Sequence, residues 1–147
     1  MTIALVRVVD TQPVGFDPLR AAALSDGYRR VERLAENWAS GTERFDASVE
    51  NLLAAFITGD LAGIGGMTVD PANRRALRMR RFYVRRASRR NGVGRCLAEA
   101  LIAKARQLER CVVVNAPTAE AARFWEELGF VRDRCDGHTH MLGPTVV

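Results

Sequence analysis

The pattern of apolar and polar positions in the first third of the chain predicts a strand followed by two helices. Residues Ile3 to Val9 are mostly β-branched or otherwise apolar, which is typical of a strand. Asp17 before Pro18 predicts the N-cap and the first position of a helix, which Gly27 ends. An apolar stripe at helical spacing then predicts a second helix that ends at Gly41.

Three strands are predicted in the middle of the chain. Apolar runs at 51–58 and 61–69 flank a tight turn at residues 59–60 and predict a hairpin. In the run from Leu77 to Val84, positions 77 and 79 share one face, and positions 82 and 84 share a face with the phase shifted by one residue. A β-bulge near Arg80-Arg81 would produce that shift, and loose alternation in a strand covered on both sides is the alternative.

The last third of the chain predicts two helices and three strands. A long helix spans about Gly92 to Glu109, and Gly129 caps a second helix that opens at Pro117-Thr118. Strands are predicted at 111–115, from 130 onward and at 138–142, with Asp136-Gly137 as the turn between the last two. The order β-α-α-β-β-β-α-β-α-β-β predicts a mixed α/β sheet with helices on its faces, in a single domain over residues 1–147.

Composition and charge favour a globular protein that binds a polyanion. Apolar residues make up 48% and charged residues 27%, no apolar run approaches the ~20 residues that cross a bilayer, and the start lacks a signal-peptide layout. We therefore expect a cytoplasmic protein without a membrane partner. Ten arginines and no acidic residue lie between Arg74 and Arg95, which favours a phosphorylated cofactor or nucleic acid as ligand.

The three cysteines argue against a metal or disulfide framework. Cys96, Cys111 and Cys135 lack the close spacing of a zinc site. We therefore interpret them as small buried side chains and expect no bound metal.

The segment after the fourth predicted strand carries the clearest chemical signal. The strand ends at Val84, a basic loop follows, and Gly92 and Gly94 stand where the long helix begins. The first N–H groups of a helix lack internal partners and lie at the positive end of its dipole. Amides near Asn91 to Arg95 can therefore bind a pyrophosphate, although a helix start with a flexible cap has the same spacing. The Rossmann and Walker A fingerprints are absent.

The same segment resembles the central motif of the GNAT superfamily of N-acetyltransferases, Gln/Arg-x-x-Gly-x-Gly/Ala, through Arg89, Gly92 and Gly94. Residues 121–130, AARFWEELGF, resemble the second family motif, Ala-x-x-Phe-Tyr-Glu-x-Leu-Gly-Phe. The resemblance covers essentially the whole chain and implies an α/β (α+β) fold with a mixed, mostly antiparallel sheet of six to seven strands and about four helices. It also implies direct transfer of an acetyl group from acetyl-CoA, the co-substrate, to a primary amine.

The resemblance further implies which residues contact acetyl-CoA. They lie on the fourth strand, in the basic loop, at the start of the long helix and at the end of the fifth strand: Phe82, Val84, Arg89, Arg90, Asn91, Gly92, Val93, Gly94, Arg95 and Asn115. The backbone N–H of Val84 would donate a hydrogen bond to the thioester carbonyl.

Two positions depart from the family pattern. Trp125 occupies the position of the family's frequent tyrosine, a general acid for the thiolate, so that role is vacant or filled elsewhere. Thr118 stands where an asparagine that contacts the cofactor is common, and Asn115 is the expected replacement.

The catalytic residues are not evident, because the fourth strand carries no carboxylate. Glu50 and Asp70 flank neighbouring strands and are candidate general bases, or solvated charges at strand ends. Tyr83 should face away from Phe82 and Val84, as a proton donor or a packing residue. His138 shares a face with the histidine two positions later and is a candidate for acid-base catalysis. The alternatives are a surface or core residue, or a metal ligand, although the sequence shows no third ligand for a metal. A water relay is a further route for the proton.

The acceptor pocket is expected between the first two helices and the last hairpin. Acidic residues there either attract a cationic amine or form a solvated helix face: Asp26, Glu32, Glu36 and Glu43. The expected acceptor is a small-molecule or peptide amine. The sequence leaves open whether the protein forms a homodimer. Two other functions also stay open. One is an acyl-CoA sensor without catalysis, which Trp125 favours, and the other is a nucleic-acid-binding module, which lacks a recognition motif and a stacking platform.

Overall fold

The structure is a computed structural model that describes residues 2–135 and 137–144. The described residues form helices and strands in the predicted order, with a short 3₁₀ turn at Arg86–Ser88. Their bounds are β1 (Ile3–Arg7), α1 (Phe16–Ser25), α2 (Arg30–Ser40), β2 (Asn51–Ile57), β3 (Asp60–Val69), β4 (Leu77–Val84), α3 (Val93–Gln107), β5 (Val112–Val114), α4 (Ala119–Glu127), β6 (Val131–Cys135) and β7 (His138–Leu142). Asp136, half of the predicted last turn, lies outside the described residues.

The strands form one sheet in the order β1-β2-β3-β4-β5-β7-β6. Of these neighbours only β4 and β5 run parallel, so the predicted mixed, mostly antiparallel sheet with four helices is confirmed. β4 and β5 pair only where Leu77 meets Val112 and Arg78 meets Val113. Beyond Arg78 the two strands therefore separate, and the edge of β4 that faces β5 is left without a strand partner.

The core lies in two layers, one on each face of the sheet. The helices α1 and α2 cover one face through side chains such as Leu19, Leu34 and Trp38, which are buried. The helices α3 and α4 cover the other face, where Leu101 and Trp125 are buried. Both tryptophans are thus core aromatics. Each fully buried side chain of this size contributes about 1.5–3 kcal/mol.

The bulge predicted in β4 is present. Ile64 pairs with Tyr83 and Gly66 with Arg80, so that residues 81 and 82 oppose Gly65 alone. Arg81 adopts a positive φ of 62° at this point. A Cβ at Gly65 would lie 2.9 Å from the ring of the residue opposite, Phe82, which explains the glycine. Because of the bulge, the side chains at positions 77 and 79 before it and at positions 82 and 84 after it all lie on the α3 face, although the alternation shifts by one residue.

Three local predictions were wrong. The helix α1 begins at Phe16 after the N-cap Gly15 rather than after Asp17, because Phe16 is buried and its N–H already bonds to the Pro13 carbonyl at 3.0 Å. Proline at position 18 is tolerated because N–H groups in the first turn need no helical partner. β1 ends at Arg7 rather than at residue 9. The three cysteines are less buried than predicted: Cys96 and Cys111 are half-buried, and Cys135 is exposed, because it lies on β6, the edge strand of the sheet.

Candidate functional site

The gap between β4 and β5 exposes the backbone of Val84. The Arg85 N–H donates to the carbonyl of Ala62 at 2.8 Å, so residues 62 and 85 form a hydrogen-bonded pair and the next pair, Gly63 with Val84, does not. The N–H and C=O groups of Val84 therefore point away from β3 and into the gap. A donor placed there can bind the carbonyl oxygen of a thioester.

The start of α3 presents a row of unpartnered amides. The first helical bond of α3 runs from the Cys96 N–H to the Gly92 carbonyl at 2.9 Å, and Gly92 is the N-cap, with φ at 78°. Among residues 2–135 and 137–144, the N–H groups of positions 90–95 have no hydrogen-bond partner. Six successive free donors at a helix N-terminus form an anion site of the kind that phosphates occupy.

Side chains in the preceding loop hold it against the end of β4. The Arg89 Nε donates to the Val84 carbonyl at 2.9 Å, and its Nη2 donates to Asp26 at 3.1 Å. The Asn91 side-chain amide donates to the Ser88 carbonyl at 3.3 Å. Arg89 thus joins the loop, β4 and the end of α1, which are contacts that the sequence did not predict.

The other predicted cofactor residues differ in what they can offer. The side chain of Val93 is buried, so only its amide faces the loop. Arg95 forms an exposed ion pair with Glu99 at 3.4 Å, Arg90 is exposed, and Gly94 lies against the ring of Phe124. The loop therefore presents backbone donors, with the exposed guanidinium groups of its arginines around them.

The opposite wall of the gap is formed by aromatic residues and the end of β5. Trp125 is 5% exposed and makes edge contacts with three phenylalanine rings, Phe82 among them at 5.0 Å. Asn115 is exposed just beyond β5. The Thr118 hydroxyl accepts from the Ala121 N–H at 3.1 Å and so caps α4. These placements fit the sequence interpretation, in which Asn115 rather than Thr118 is free for a ligand.

On the α1–α2 side, Tyr83 is fixed by a carboxylate. Its hydroxyl donates to Asp26 at 2.7 Å, and burial, together with this hydrogen bond, raises the pKa of Tyr83 to about 12. The same hydrogen bond, with the nearby Arg86 and Arg89, lowers the pKa of Asp26. Tyr83 faces away from the α3 side, as predicted, and a phenol with this pKa is a poor proton donor at neutral pH.

Two further contacts tie the bulge to the α1–α2 layer. The Tyr28 hydroxyl donates to the Phe82 carbonyl at 2.7 Å, and the Arg81 guanidinium forms two hydrogen bonds with Glu43, at 2.8 and 2.9 Å. Glu32 is likewise paired, with Arg20. The solvated-face interpretation is therefore wrong for Asp26, Glu32 and Glu43, whereas Glu36 is exposed.

The two candidate general bases lie at the far end of β4. Glu50 accepts from the Val69 N–H at 3.0 Å, and Asp70 is 1% exposed, with Oδ1 lying 3.5 Å from Arg78 Nη1. The interpretation of Asp70 as a solvated charge is therefore wrong. Because Val69 pairs with Leu77 and β4 rises by about 3.3 Å per residue, both carboxylates lie roughly 20 Å from Val84.

The histidines of β7 are paired with carboxylates. His138 Nε2 lies 2.9 Å from Asp133, and His140 Nε2 lies 2.7 Å from Glu126 of α4. His140 is buried, so the pair stabilises the contact between β7 and α4. No group of three His, Cys, Asp or Glu side chains in the described part of the chain could hold a metal ion.

The fold and this site define the class of protein. The sequence model of the Acetyltransferase (GNAT) family matches residues 19–130, so the chain belongs to the GNAT acetyltransferase family, as the sequence predicted. Acetyl-CoA is the co-substrate of this family. No curated protein sequence matches the chain, and none of the helices in residues 2–135 and 137–144 has the length and apolar character of a membrane span.

Solved structures from several organisms share the fold. A candidate acetyltransferase from Exiguobacterium sp. 255-15 has 26% identity and a TM-score of 0.86, with 97% of this chain and 94% of that chain covered. The candidate acetyltransferase YncA of Salmonella typhimurium, solved with its cofactor acetyl-CoA, has 17% identity, coverage of 97% and 94%, and a TM-score of 0.68. An aminoglycoside 6'-N-acetyltransferase complexed with coenzyme A has 13% identity, coverage of 98% and 98%, and a TM-score of 0.70.

Proposed function

We propose that this chain, as one domain, transfers an acetyl group from acetyl-CoA directly to a primary amine. The observation that carries the proposal is the row of six unpartnered amides at positions 90–95, which follows a strand whose end, at Val84, is open toward β5. Phosphate binding by the amides would place the pantetheine arm along the free edge of β4, because a peptide-like chain pairs with such an edge.

The proposed cofactor contacts are those that the family motif implies. The amides of Asn91 to Arg95 would bind the pyrophosphate, with Arg89 and Arg90 adding charge. Phe82 and Val84 would line the pantetheine arm, and Asn115 would contact it from the end of β5. Acetyl-CoA supplies a thioester whose acyl carbon is attacked by the amine: a C–N bond forms, the C–S bond breaks, and coenzyme A leaves as the thiol.

In the proposed reaction the chain orients the reactants rather than supplying a strong base. An alkylammonium with a pKa near ~10 must lose a proton before it attacks. Glu50 and Asp70 lie at the far end of β4, Tyr83 holds its proton, and His138 is paired with a carboxylate. We therefore propose that the amine proton leaves through water, while the Val84 N–H stabilises the oxyanion.

Two measurements test the proposal. Acetyl-CoA should raise the unfolding temperature of the protein, because a ligand that binds only the folded state stabilises it, whereas duplex DNA should not. A panel of amines incubated with acetyl-CoA should then yield a product heavier by one acetyl group in a mass spectrum, with release of free thiol. Protection by DNA alone would support the nucleic-acid alternative.

The second candidate function is an acyl-CoA sensor without catalysis. Trp125 favours it, because a buried indole stands where the family has a tyrosine, and an indole cannot protonate a thiolate. Protection by acetyl-CoA without turnover of any amine would support the sensor. The nucleic-acid module is disfavoured, because four arginines of the basic block are paired with carboxylates: Arg78, Arg81, Arg86 and Arg89.

A further inference from the structure

Three arginines follow one another along the α1–α2 face of β4, and two of them already have anionic partners. Arg81 forms its two hydrogen bonds with Glu43. Arg78 lies 3.5 Å from Asp70 and also donates to the Gly137 carbonyl at 2.7 Å. The two carboxylates of this region are thus paired with Arg78 and Arg81, and the third arginine, Arg80, has no carboxylate partner among the described residues.

Arg80 is oriented by a single neutral contact. Its Nε donates to the Thr68 hydroxyl at 2.8 Å, and within the described part of the chain its Nη1 and Nη2 have no partner. Neither of these atoms is a fully buried polar atom, so both reach solvent. A guanidinium held at Nε with both terminal nitrogens free matches the two oxygens of a carboxylate.

The electrostatic surroundings favour an anion at this point. Partial burial lowers the pKa of Arg80, and the neighbouring Arg78 and Arg81 lower it further, against the opposite effect of Glu43 and Asp70. The two arginines and two carboxylates around Arg80 act in opposite directions, so its loss of hydration is the main effect. A partly desolvated guanidinium gains more from an anionic ligand than an exposed arginine does.

Arg80 also lies beside the opening between β4 and β5. It follows Arg78, the last β4 residue that pairs with β5, and directly precedes the bulge. Its side chain lies on the face opposite Phe82 and Val84, the face from which an acceptor would meet the thioester. The partners of Val84 and Arg80 on β3, Gly63 and Gly66, are three residues apart, which corresponds to about 10 Å. An amine positioned at the Val84 N–H would therefore need an extended spacer to place an acidic group at Arg80.

We propose that the acceptor is an amine that carries a carboxylate at the far end of an extended spacer, and that Arg80 binds this carboxylate. This inference rests on the acetyl transfer proposed above. It disfavours polycationic acceptors, because three of the four acidic residues that would attract them, Asp26, Glu32 and Glu43, are paired with arginines within the fold.

The test compares acids with their own amides. The protein is assayed by thiol release with ω-amino acids of increasing chain length, with the corresponding carboxamides, and with spermidine as a polycation. We expect a higher kcat/KM for at least one acid than for its amide or for spermidine. In Arg80→Gln the KM for that acid should rise about 10- to 100-fold, the range for a lost charged hydrogen bond, with little change for the amide.

Two variants control for general effects of the substitution. Arg75→Gln removes an equal charge from the exposed turn before β4 and should behave as the unchanged protein. Arg80→Lys, which keeps the charge but not the fork, should restore part of the preference for the acid. Protection of each variant by acetyl-CoA in a thermal melt shows that it is folded and retains the cofactor site.

The outcomes separate the two proposals. An equal or higher rate with amides or spermidine overturns the inference about the acceptor, as does an acid preference that survives in Arg80→Gln. Acetyl-CoA protection without turnover of any acid also overturns it, while leaving cofactor binding intact. If acetyl-CoA gives no protection to the unchanged protein, the acetyl-transfer function itself fails, and the inference fails with it.

Discussion

The Tyr83 hydroxyl donates a 2.7 Å hydrogen bond to Asp26 and so ties the bulged strand β4 to the end of α1. Asp26 also binds Arg89, which in turn reaches the Val84 carbonyl. One carboxylate therefore connects the acceptor face of the sheet with the loop that precedes α3. The pKa of Tyr83 is raised and that of Asp26 is lowered, which makes the connection measurable by pH.

The decrease in the free energy of unfolding at alkaline pH should depend on Tyr83. A phenol whose pKa is raised from 10.0 to about 12 in the folded protein stabilises it below pH 10, and this contribution is lost as the pH rises toward 12. The free energy of unfolding should therefore fall less steeply over that range in Tyr83→Phe. Tyrosinate absorbance of the unchanged protein should show a late step near pH 12 that the variant lacks. A late step that persists in Tyr83→Phe would contradict the assignment.

The decrease in the free energy of unfolding at acid pH should depend on Asp26. Its pKa is lowered from 3.8, so its contribution to stability is present above about pH 4 and is lost as the pH falls through the lower value of the folded protein. Asp26→Asn should lose stability at neutral pH and show a flatter decrease in acid, measured by denaturant unfolding. Glu36→Gln, which changes an exposed carboxylate of α2, should leave the decrease at acid pH unchanged.

Gly92→Val should weaken acetyl-CoA binding. A β-branched residue is strained at φ 78° by about 1–3 kcal/mol, and relaxing the strain would turn the amides of α3 away from a shared centre. Gly41→Val is the matched control, because Gly41 has φ 79° and also has open space around its Cα but lies at the end of α2. Both variants should lose stability, and only Gly92→Val should lose thermal protection by acetyl-CoA. Equal protection of both variants by acetyl-CoA would contradict the assignment of the phosphate site to the start of α3.

Glu43→Ala should be strongly destabilising. It leaves the buried Arg81 guanidinium without its carboxylate, and such losses cost about 3–5 kcal/mol. A double-mutant cycle with Arg81→Ala should show coupling well above that of the exposed pair Arg95 and Glu99, for which about 0.5 kcal/mol is the usual upper range. Coupling as small as in the exposed pair would mean that Glu43 does not hold the bulge.

Local patterns in the sequence predicted the elements and the cofactor loop. The phase shift between positions 79 and 82 indicated a bulge as one of two explanations, because side chains in a strand alternate with period two and an extra residue reverses the phase. Gly92 marked the start of α3, because the free amides of a helix terminus depend only on neighbouring residues. Both features follow from interactions within a few positions of the chain.

Ion-pair partners were decided only by the tertiary structure. Asp26 and Tyr83 are separated by 57 positions, and Arg81 and Glu43 by 38, so no local spacing relates them. The sequence likewise presented ten similar arginines between 74 and 95, and only the packing of α1 and α2 on the bulge pairs some with carboxylates and leaves Arg80 open. Backbone periodicity is a short-range property, whereas the environment of a charge depends on whichever distant residues the fold brings within a few ångströms of it.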